Sequence, residues 1–156
     1  MENQELEIKV ALKMQKSLHD VYEAIVDPSK MSNYFIEKST GRMEEGEILT
    51  WKFPEFDMEF PVRVNKVEKD KYISFFWNSM DGKEMLVEIM LSLKENNSTL
   101  VTVTEKSMPN DKAGIEWLKG NTEGWANFLA CMKAYLEYGI NLRKGAFDIS
   151  QMPEAK

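Results

Sequence analysis

The chain of 156 residues has little of the chemistry that many enzymes and metalloproteins use, since it contains one cysteine and one histidine. Cys131 alone cannot form an internal disulfide, and one His with one Cys cannot build a nitrogen and sulfur ligand cluster. A nucleophilic triad needs a base beside its nucleophile, and His19 lies in the first turn of a short predicted helix. We therefore predict no metal, no cofactor and no triad. We expect His19 to be exposed and Cys131 to be a small buried hydrophobe.

Long apolar runs and clusters of positive charge are also absent. No apolar run approaches the roughly 18 residues that cross a bilayer. The N-terminal MENQELEIKV lacks the basic and then apolar layout of a secretory signal, so we expect a cytoplasmic location. With 26 acidic and 20 basic residues the formal charge is −6, and no Lys/Arg run exceeds a pair, which argues against nucleic acid as a partner.

What is present is typical of a folded globular domain. Hydrophobic residues make up 43% of the chain and charged residues 29%, and the length suits one domain with a substantial core. We expect a single domain over residues 1–156, with a core of about 6–142 and a flexible tail at about 147–156. The eleven methionines would make part of that core adaptable, because Met fills irregular apolar spaces.

Alternating apolar residues predict a run of antiparallel strands between helical segments. The predicted strands are 5–15, 48–53, 58–68, 72–78, 84–95 and 99–107, and residues 37–44 could add one more. Short helices are predicted at 18–26, where Ser17 is the N-cap, and at 29–35. After Asp111 one or two helical turns are followed by a predicted break at Gly120–Asn121. A long helix then covers about 121–141.

These elements predict an α+β fold of two layers: a curved antiparallel sheet of about six to seven strands with a long C-terminal helix across its concave face. Large apolar residues of that helix cluster within about 100° of arc and face a matching set on the strands. The residues predicted to line the space between sheet and helix are Trp51, Phe53, Phe60, Val62, Phe75, Trp77, Val87, Ile89, Val103, Glu105, Met108, Trp117, Trp125, Phe128, Leu129 and Met132. Such a set either closes into a core or leaves an apolar cavity for a ligand.

Several short motifs, in this order and spacing, resemble one known superfamily. They are Ile8-Lys9-Val10 leading through Ser17 to Val21-Tyr22-Glu23-Ala24-Ile25 and Asp27-Pro28; Gly46 before Trp51; Tyr72-Ile73-Ser74-Phe75-Phe76-Trp77; Ser98-Thr99-Leu100-Val101-Thr102-Val103-Thr104; and Glu123-Gly124-Trp125 with Leu129, Tyr135 and Leu136. The chain resembles the START-like, or SRPBCC, superfamily with the helix-grip fold, in the branch of homologues of the activator of heat-shock protein 90 ATPase. The resemblance covers roughly residues 6–142. The chain departs from the sequence pattern of the superfamily at two places: at Tyr34-Phe35, where a Trp is common, and at Glu105, where a His is frequent.

Three polar residues are candidates for a functional role, and Glu105 is the foremost. If Val101 and Val103 face the helix, alternation turns Glu105 the same way, where its carboxyl could orient a ligand or act as an acid or base. The strand could instead fray or bulge first and let Glu105 pair with a surface lysine, and this simpler interpretation is preferred. Arg63 and Glu88 lie out of phase with the apolar set, so both are predicted to face solvent.

The leading functional hypothesis is binding of a small hydrophobic or amphipathic ligand between sheet and helix, without covalent chemistry. The resemblance implies two alternatives, because relatives serve as chaperone partners, cyclases or hydrolases. One alternative is a chaperone-activator-like interaction module, and the other is a cyclase or hydrolase that uses Glu105. The exposed edge of the strand meander could also pair with a second copy as a homodimer.

Overall fold

The computed structural model describes residues 4–148, and the part of the predicted tail at 149–156 lies outside them. The sheet contains β1 (Leu6–Met14), β2 (Lys38–Ser39), β3 (Ile48–Lys52), β4 (Glu59–Glu68), β5 (Tyr72–Asn78), β6 (Glu84–Lys94) and β7 (Ser98–Met108). The helices are α1 (Leu18–Val26), α2 (Pro28–Met31) and α3 (Lys112–Tyr138). A single 3-10 turn, Glu95–Asn97, joins β6 to β7.

All seven strands form one antiparallel sheet in the order β1-β7-β6-β5-β4-β3-β2. Strands β2 to β7 follow one another as a meander, and β1 joins the far side by pairing with β7. The predicted α+β helix-grip fold is confirmed, with a curved sheet and a long C-terminal helix. Helix α3 packs closest to β1 and β7, and its buried side chains join one apolar cluster with those of β3 to β7.

Helix α3 is continuous, and the predicted break at Gly120–Asn121 is wrong. The helix begins after Asp111, whose carboxylate accepts a hydrogen bond from the Gly114 backbone N–H at 2.8 Å. It ends at Gly139, which has a φ of 66° in the left-handed region, a conformation that favours glycine. One internal glycine costs only about 1 kcal/mol relative to alanine, and tertiary packing of the apolar face outweighs that cost.

The segment after α1 departs from the predicted helix at 29–35. Asp27 caps a single turn, α2, and the chain then leaves helical geometry while keeping Tyr34, Phe35 and Ile36 buried. The Tyr34 hydroxyl donates to the Ala24 carbonyl at 2.8 Å, which satisfies its polar end inside the core. The pKa of Tyr34 is well above its usual value because burial disfavours the phenolate.

The strands bury alternate residues, as the sequence pattern predicts. In β7 the side chains of Val101, Val103 and Glu105 share the buried phase, and β6 buries Val87 and Ile89 in the same way. Because the period of a strand is two, regular pairing of β7 from Ser98 to Lys106 decides which face receives each side chain. Glu105 therefore points to the same side as the two valines before it.

Exchanging the exposed helix glycines for alanine should stabilise the protein. A methyl group at Gly120 or Gly124 would meet no other atom within 4 Å, so each change should raise the free energy of unfolding by about 1 kcal/mol. A methyl group at Gly114 would lie 1.9 Å from the Pro109 carbonyl oxygen, so Gly114→Ala should instead lower it by about 1–3 kcal/mol. Urea denaturation measures all three variants, and stabilisation by Gly114→Ala would contradict the packing described for this end of α3.

Candidate functional site

The predicted lining residues meet in one place, and they pack against one another. Most are buried, while Phe53, Phe60, Trp77 and Trp117 are half-buried. One contiguous cluster contains the apolar members Trp51, Phe53, Val62, Phe75, Trp77, Val87, Ile89, Val103, Trp117, Trp125, Phe128, Leu129 and Met132. Phe60 joins through the Phe53 ring at a centroid distance of 5.6 Å, and buried Met108 lies at the end of β7. The space between sheet and helix is thus occupied by the protein's own side chains.

A chain of touching aromatic rings passes through this space. The Phe35 ring lies 5.1 Å from that of Phe53 and 5.9 Å from that of Trp125, and Trp125 lies 5.4 Å from Trp77. Most of these neighbours meet edge to face or tilted, the arrangements that aromatic quadrupoles favour. Phe35 is central to the chain although it was not among the predicted lining residues. It follows α2 in irregular structure, where no periodicity marks which way a side chain points.

Glu105 is completely buried at one end of the ring chain. Its Oε2 accepts a hydrogen bond from Trp77 Nε1 at 2.9 Å. Its Oε1 accepts from Trp125 Nε1 at 2.8 Å and from Asn121 Nδ2 at 3.1 Å. The sheet places this carboxylate between apolar residues, because Glu105 pairs with Ile8 on β1 and with Val87 on β6. The preferred prediction of a surface lysine partner is wrong, because the pairing of β7 stays regular past Glu105, as far as Lys106, and the Glu105 side chain faces α3.

The buried carboxylate is balanced by N–H dipoles instead of by a cation. None of the ion pairs formed among residues 4–148 includes Glu105. Removing a carboxylate from water costs several kcal/mol, and hydrogen bonds to its charged form recover part of that cost. Asn121 was missed as a partner because a helix break was predicted at its position. In the continuous helix Asn121 and Trp125 are four residues apart, so both reach one acceptor.

A second charged group closes the other end of the ring chain. Arg143 Nη2 and Nε donate to the two carboxylate oxygens of Glu55 at 2.7 and 3.1 Å, and both side chains are nearly buried. The guanidinium carbon lies 5.5 Å from the ring centroids of Phe35 and Phe53 and 4.7 Å from that of Phe147. These are cation–π distances. The pair holds the segment after α3 against the β3–β4 loop.

Two surface pockets flank the segment that carries Arg143. The first, of about 170 Å³, is lined by Ser32, Tyr34, Phe35, Ile36, Glu37, Pro54, Asn141, Arg143 and Lys144. The second, of about 250 Å³, is lined by Glu123, Asn127, Ala130, Cys131, Leu142, Ala146 and Phe147. Both are smaller than the roughly 300–1,000 Å³ of a typical ligand pocket. Neither of them lies among the strand residues predicted to line the interior.

The other candidate residues lie away from this interior. Arg63 is exposed and pairs with Glu84 at 2.8 Å, as predicted for a solvent-facing residue. Glu88 lies out of phase with the buried residues of β6 and accepts a hydrogen bond from the Tyr72 hydroxyl at 2.5 Å. His19 is exposed beside Asp70. Cys131 is buried, and burial raises the pKa of its thiol although Arg143 nearby acts to lower it.

Two further features of the described chain bear on ligand and membrane chemistry. Across residues 4–148, no group of three or more His, Cys, Asp or Glu side chains is arranged to hold a metal ion. Within the same range, no helix combines the length and the apolar character required to cross a membrane.

Comparison with protein families identifies this architecture. The family model described as Activator of Hsp90 ATPase homolog 1-like protein matches residues 16–137. The chain belongs to this family. The START-like resemblance noted in the sequence is thereby confirmed, and the match covers every strand and helix from α1 to nearly the end of α3. A comparison with curated protein sequences gives no match.

Solved structures share the fold of this Activator of Hsp90 ATPase homolog 1-like domain. The protein SSP2350 from Staphylococcus saprophyticus is 30% identical, with a TM-score of 0.78 over 88% of this chain and 96% of that one. The Aha1 dimer from Colwellia psychrerythraea is 18% identical, with a TM-score of 0.73 over 86% and 98%. DynU16, a protein in the dynemicin biosynthetic locus, is 23% identical, with a TM-score of 0.76 over 86% and 48%. The last two likenesses show the fold alone.

Truncating Glu105 should destabilise this family member strongly. Glu105→Ala leaves the N–H groups of Trp77, Trp125 and Asn121 without their acceptor, so the free energy of unfolding should fall by at least about 3 kcal/mol. Glu88→Ala on the opposite face serves as the matched control. Its loss of free energy of unfolding should exceed that of an ordinary surface substitution by less than about 1 kcal/mol. Equal losses in the two variants, measured by urea denaturation, would contradict the role given to the buried carboxylate.

Proposed function

We propose that this protein binds a small, mostly apolar molecule between the sheet and α3, with Glu105 as the polar contact. The ligand's body lies among the aromatic rings, and a hydroxyl or amine on it donates a hydrogen bond to the carboxylate. No covalent step is part of the proposal. The interior offers dispersion contacts along its length and one strong acceptor at its end, which suits an amphipathic ligand that carries a donor.

The observation that carries the proposal is the buried carboxylate itself. A well-packed apolar side chain at such a position is often as stable as a buried charge or more so. Stability alone therefore gives no reason for Glu105 among Ile8, Val87 and two tryptophans. Buried ionisable groups among apolar surfaces are frequent at functional sites. The Glu105 carboxylate accepts hydrogen bonds from three N–H groups and has no cationic partner among residues 4–148. A neutral hydrogen-bond donor on a ligand can therefore take the place of one of these three groups.

Ligand entry requires side chains to separate, because the interior is closed in this structure. Trp77 and Asn121 cover Glu105 and are both half-buried, so a ligand can reach the carboxylate when the Trp77 ring turns outward. Met132 is buried in the same apolar cluster, and Met85 and Met108 are buried on β6 and β7. Methionine side chains reorganise at low cost because they are unbranched and flexible. Ligand binding here replaces ring contacts by ligand contacts instead of filling an empty space.

The alternatives from the sequence stay hypotheses. The name of the family carries the chaperone-activator idea, and stimulation of a heat-shock ATPase by the purified protein is its test. Acid–base catalysis by Glu105 would require a substrate to reach the carboxylate, so it depends on the same opening as ligand binding. A homodimer and a cytoplasmic location also remain predictions from the sequence. None of these is supported by a specific contact, whereas ligand binding is supported by Glu105 and its donors.

Uptake of an uncharged arylamine probe, phenylnaphthylamine, tests the proposal. Its amine can donate to Glu105, and its rings match the aromatic interior. We expect the wild-type protein to raise the fluorescence of the probe while tryptophan emission falls by energy transfer. Glu105→Gln should weaken the affinity for the probe about tenfold or more, because a hydrogen bond to a charged acceptor contributes about 1.5–3 kcal/mol to binding.

The matched control is Glu88→Gln, which makes the same chemical change on the outer face of the neighbouring strand. That variant should take up the probe as the wild type does. A fold check by near-ultraviolet circular dichroism accompanies both variants. No uptake by the wild type, or equal weakening in the two variants, would overturn the proposal.

A further inference from the structure

We infer that the ligand carries a carboxylate head group, which docks in the pocket beside Arg143 at the end of the ring chain opposite Glu105. This inference rests on the function proposed above and names the class of ligand: an amphipathic carboxylic acid. The 170 Å³ pocket is defined here as the head-group pocket, with the lining residues given above. Its contents, its size and its position each support that assignment.

The head-group pocket combines cations with an apolar floor. Arg143 and Lys144 line it side by side, and the only acidic lining residue, Glu37, is held by Lys52 at 3.0 Å. Asn141 adds an amide. Phe35 and Ile36 provide apolar surface beneath these groups. Arg143 shares its charge with Glu55, and together with Lys144 it sets two cationic side chains beside aromatic residues, an arrangement that suits an anionic head on an apolar body.

Arg143 is already held in the geometry that recognises a carboxylate. Its Nε and Nη2 form a fork with Glu55, and the rings of Phe35, Phe53 and Phe147 fix the plane of the guanidinium. Such a preorganised fork loses little entropy when it binds a second carboxylate or exchanges one for another. Nη1 takes no part in the two bonds to Glu55. Because Arg143 and Lys144 both line the pocket, a ligand carboxylate there would meet the guanidinium and a second charge.

The size and position of the pocket connect it to the interior. At about 170 Å³ it holds a head group but not a whole drug-sized ligand. Phe35 both lines the pocket and touches Phe53, Trp51 and Trp125. A chain attached to the carboxylate therefore continues past Phe35 into the ring chain that ends at Trp77 and Glu105. One ligand can thus occupy both the charged entrance and the aromatic interior.

Displacement of phenylnaphthylamine by decanoate and by decanol tests this inference, because the two competitors differ only in their head groups. We expect decanoate to displace the probe from the wild type at a concentration about tenfold lower than decanol. The double variant Glu55→Gln/Arg143→Gln should lose most of this preference, since it keeps an uncharged hydrogen-bonding pair but no guanidinium and leaves Lys144 as the remaining cation. The matched control Glu23→Gln/Arg42→Gln removes a similar bidentate pair, with distances of 2.7 and 2.9 Å, from a different surface. That control should keep the preference.

Each result separates this inference from the function on which it rests. Probe uptake with equal displacement by both competitors, or an unchanged preference in the Arg143 double variant, overturns the carboxylate assignment and leaves the proposed function standing. No probe uptake by the wild type overturns both. Near-ultraviolet circular dichroism serves as the fold control, because it reports the packing of the aromatic rings in the interior. That spectrum should be the same in the wild type and the double variant, so a lost preference reflects the missing guanidinium.

Discussion

The interaction on which the rest of this structure depends is the set of hydrogen bonds around the Glu105 carboxylate. It joins the end of β7 to β5 through Trp77 and to α3 through Asn121 and Trp125. The cost of burying the charge is offset only while all three donors stay in place. The helix must therefore keep its register along the sheet. The same contacts orient two of the rings that fill the interior.

The interior is built between two charged ends. Glu105 lies at one end and the Arg143–Glu55 pair at the other, and aromatic rings connect them through Phe35. This layout explains why a long helix so rich in large apolar residues is useful at the end of the chain. Its side chains complete a surface that the strands have already formed. The interior is closed by its own side chains, and in the function we propose an opening at either end admits a ligand.

The sequence predicted the parts of this arrangement that follow from local periodicity. Alternation in β7 placed Glu105 in phase with Val103, and the apolar stripe of the last helix predicted Trp125 and Phe128 as facing residues. Local rules failed at Gly120, where glycine and asparagine together resemble a helix end but packing keeps the helix intact. For the same reason Asn121 was not predicted as a hydrogen-bond partner of Glu105. The pairing of Arg143 with Glu55 spans 88 positions in the sequence, and no spacing rule can foresee it.

The central claim is that ligands meet Glu105 by replacing or moving its indole donors. The most direct measurement is a nitrogen-15 NMR titration of the four tryptophan indole N–H groups with an uncharged apolar ligand that carries a hydroxyl. We expect large chemical-shift changes for the indole N–H groups of Trp77 and Trp125, and these changes should be lost in Glu105→Gln. Saturable binding that leaves both of these resonances unmoved would contradict it, because the ligand would then occupy some other part of the protein.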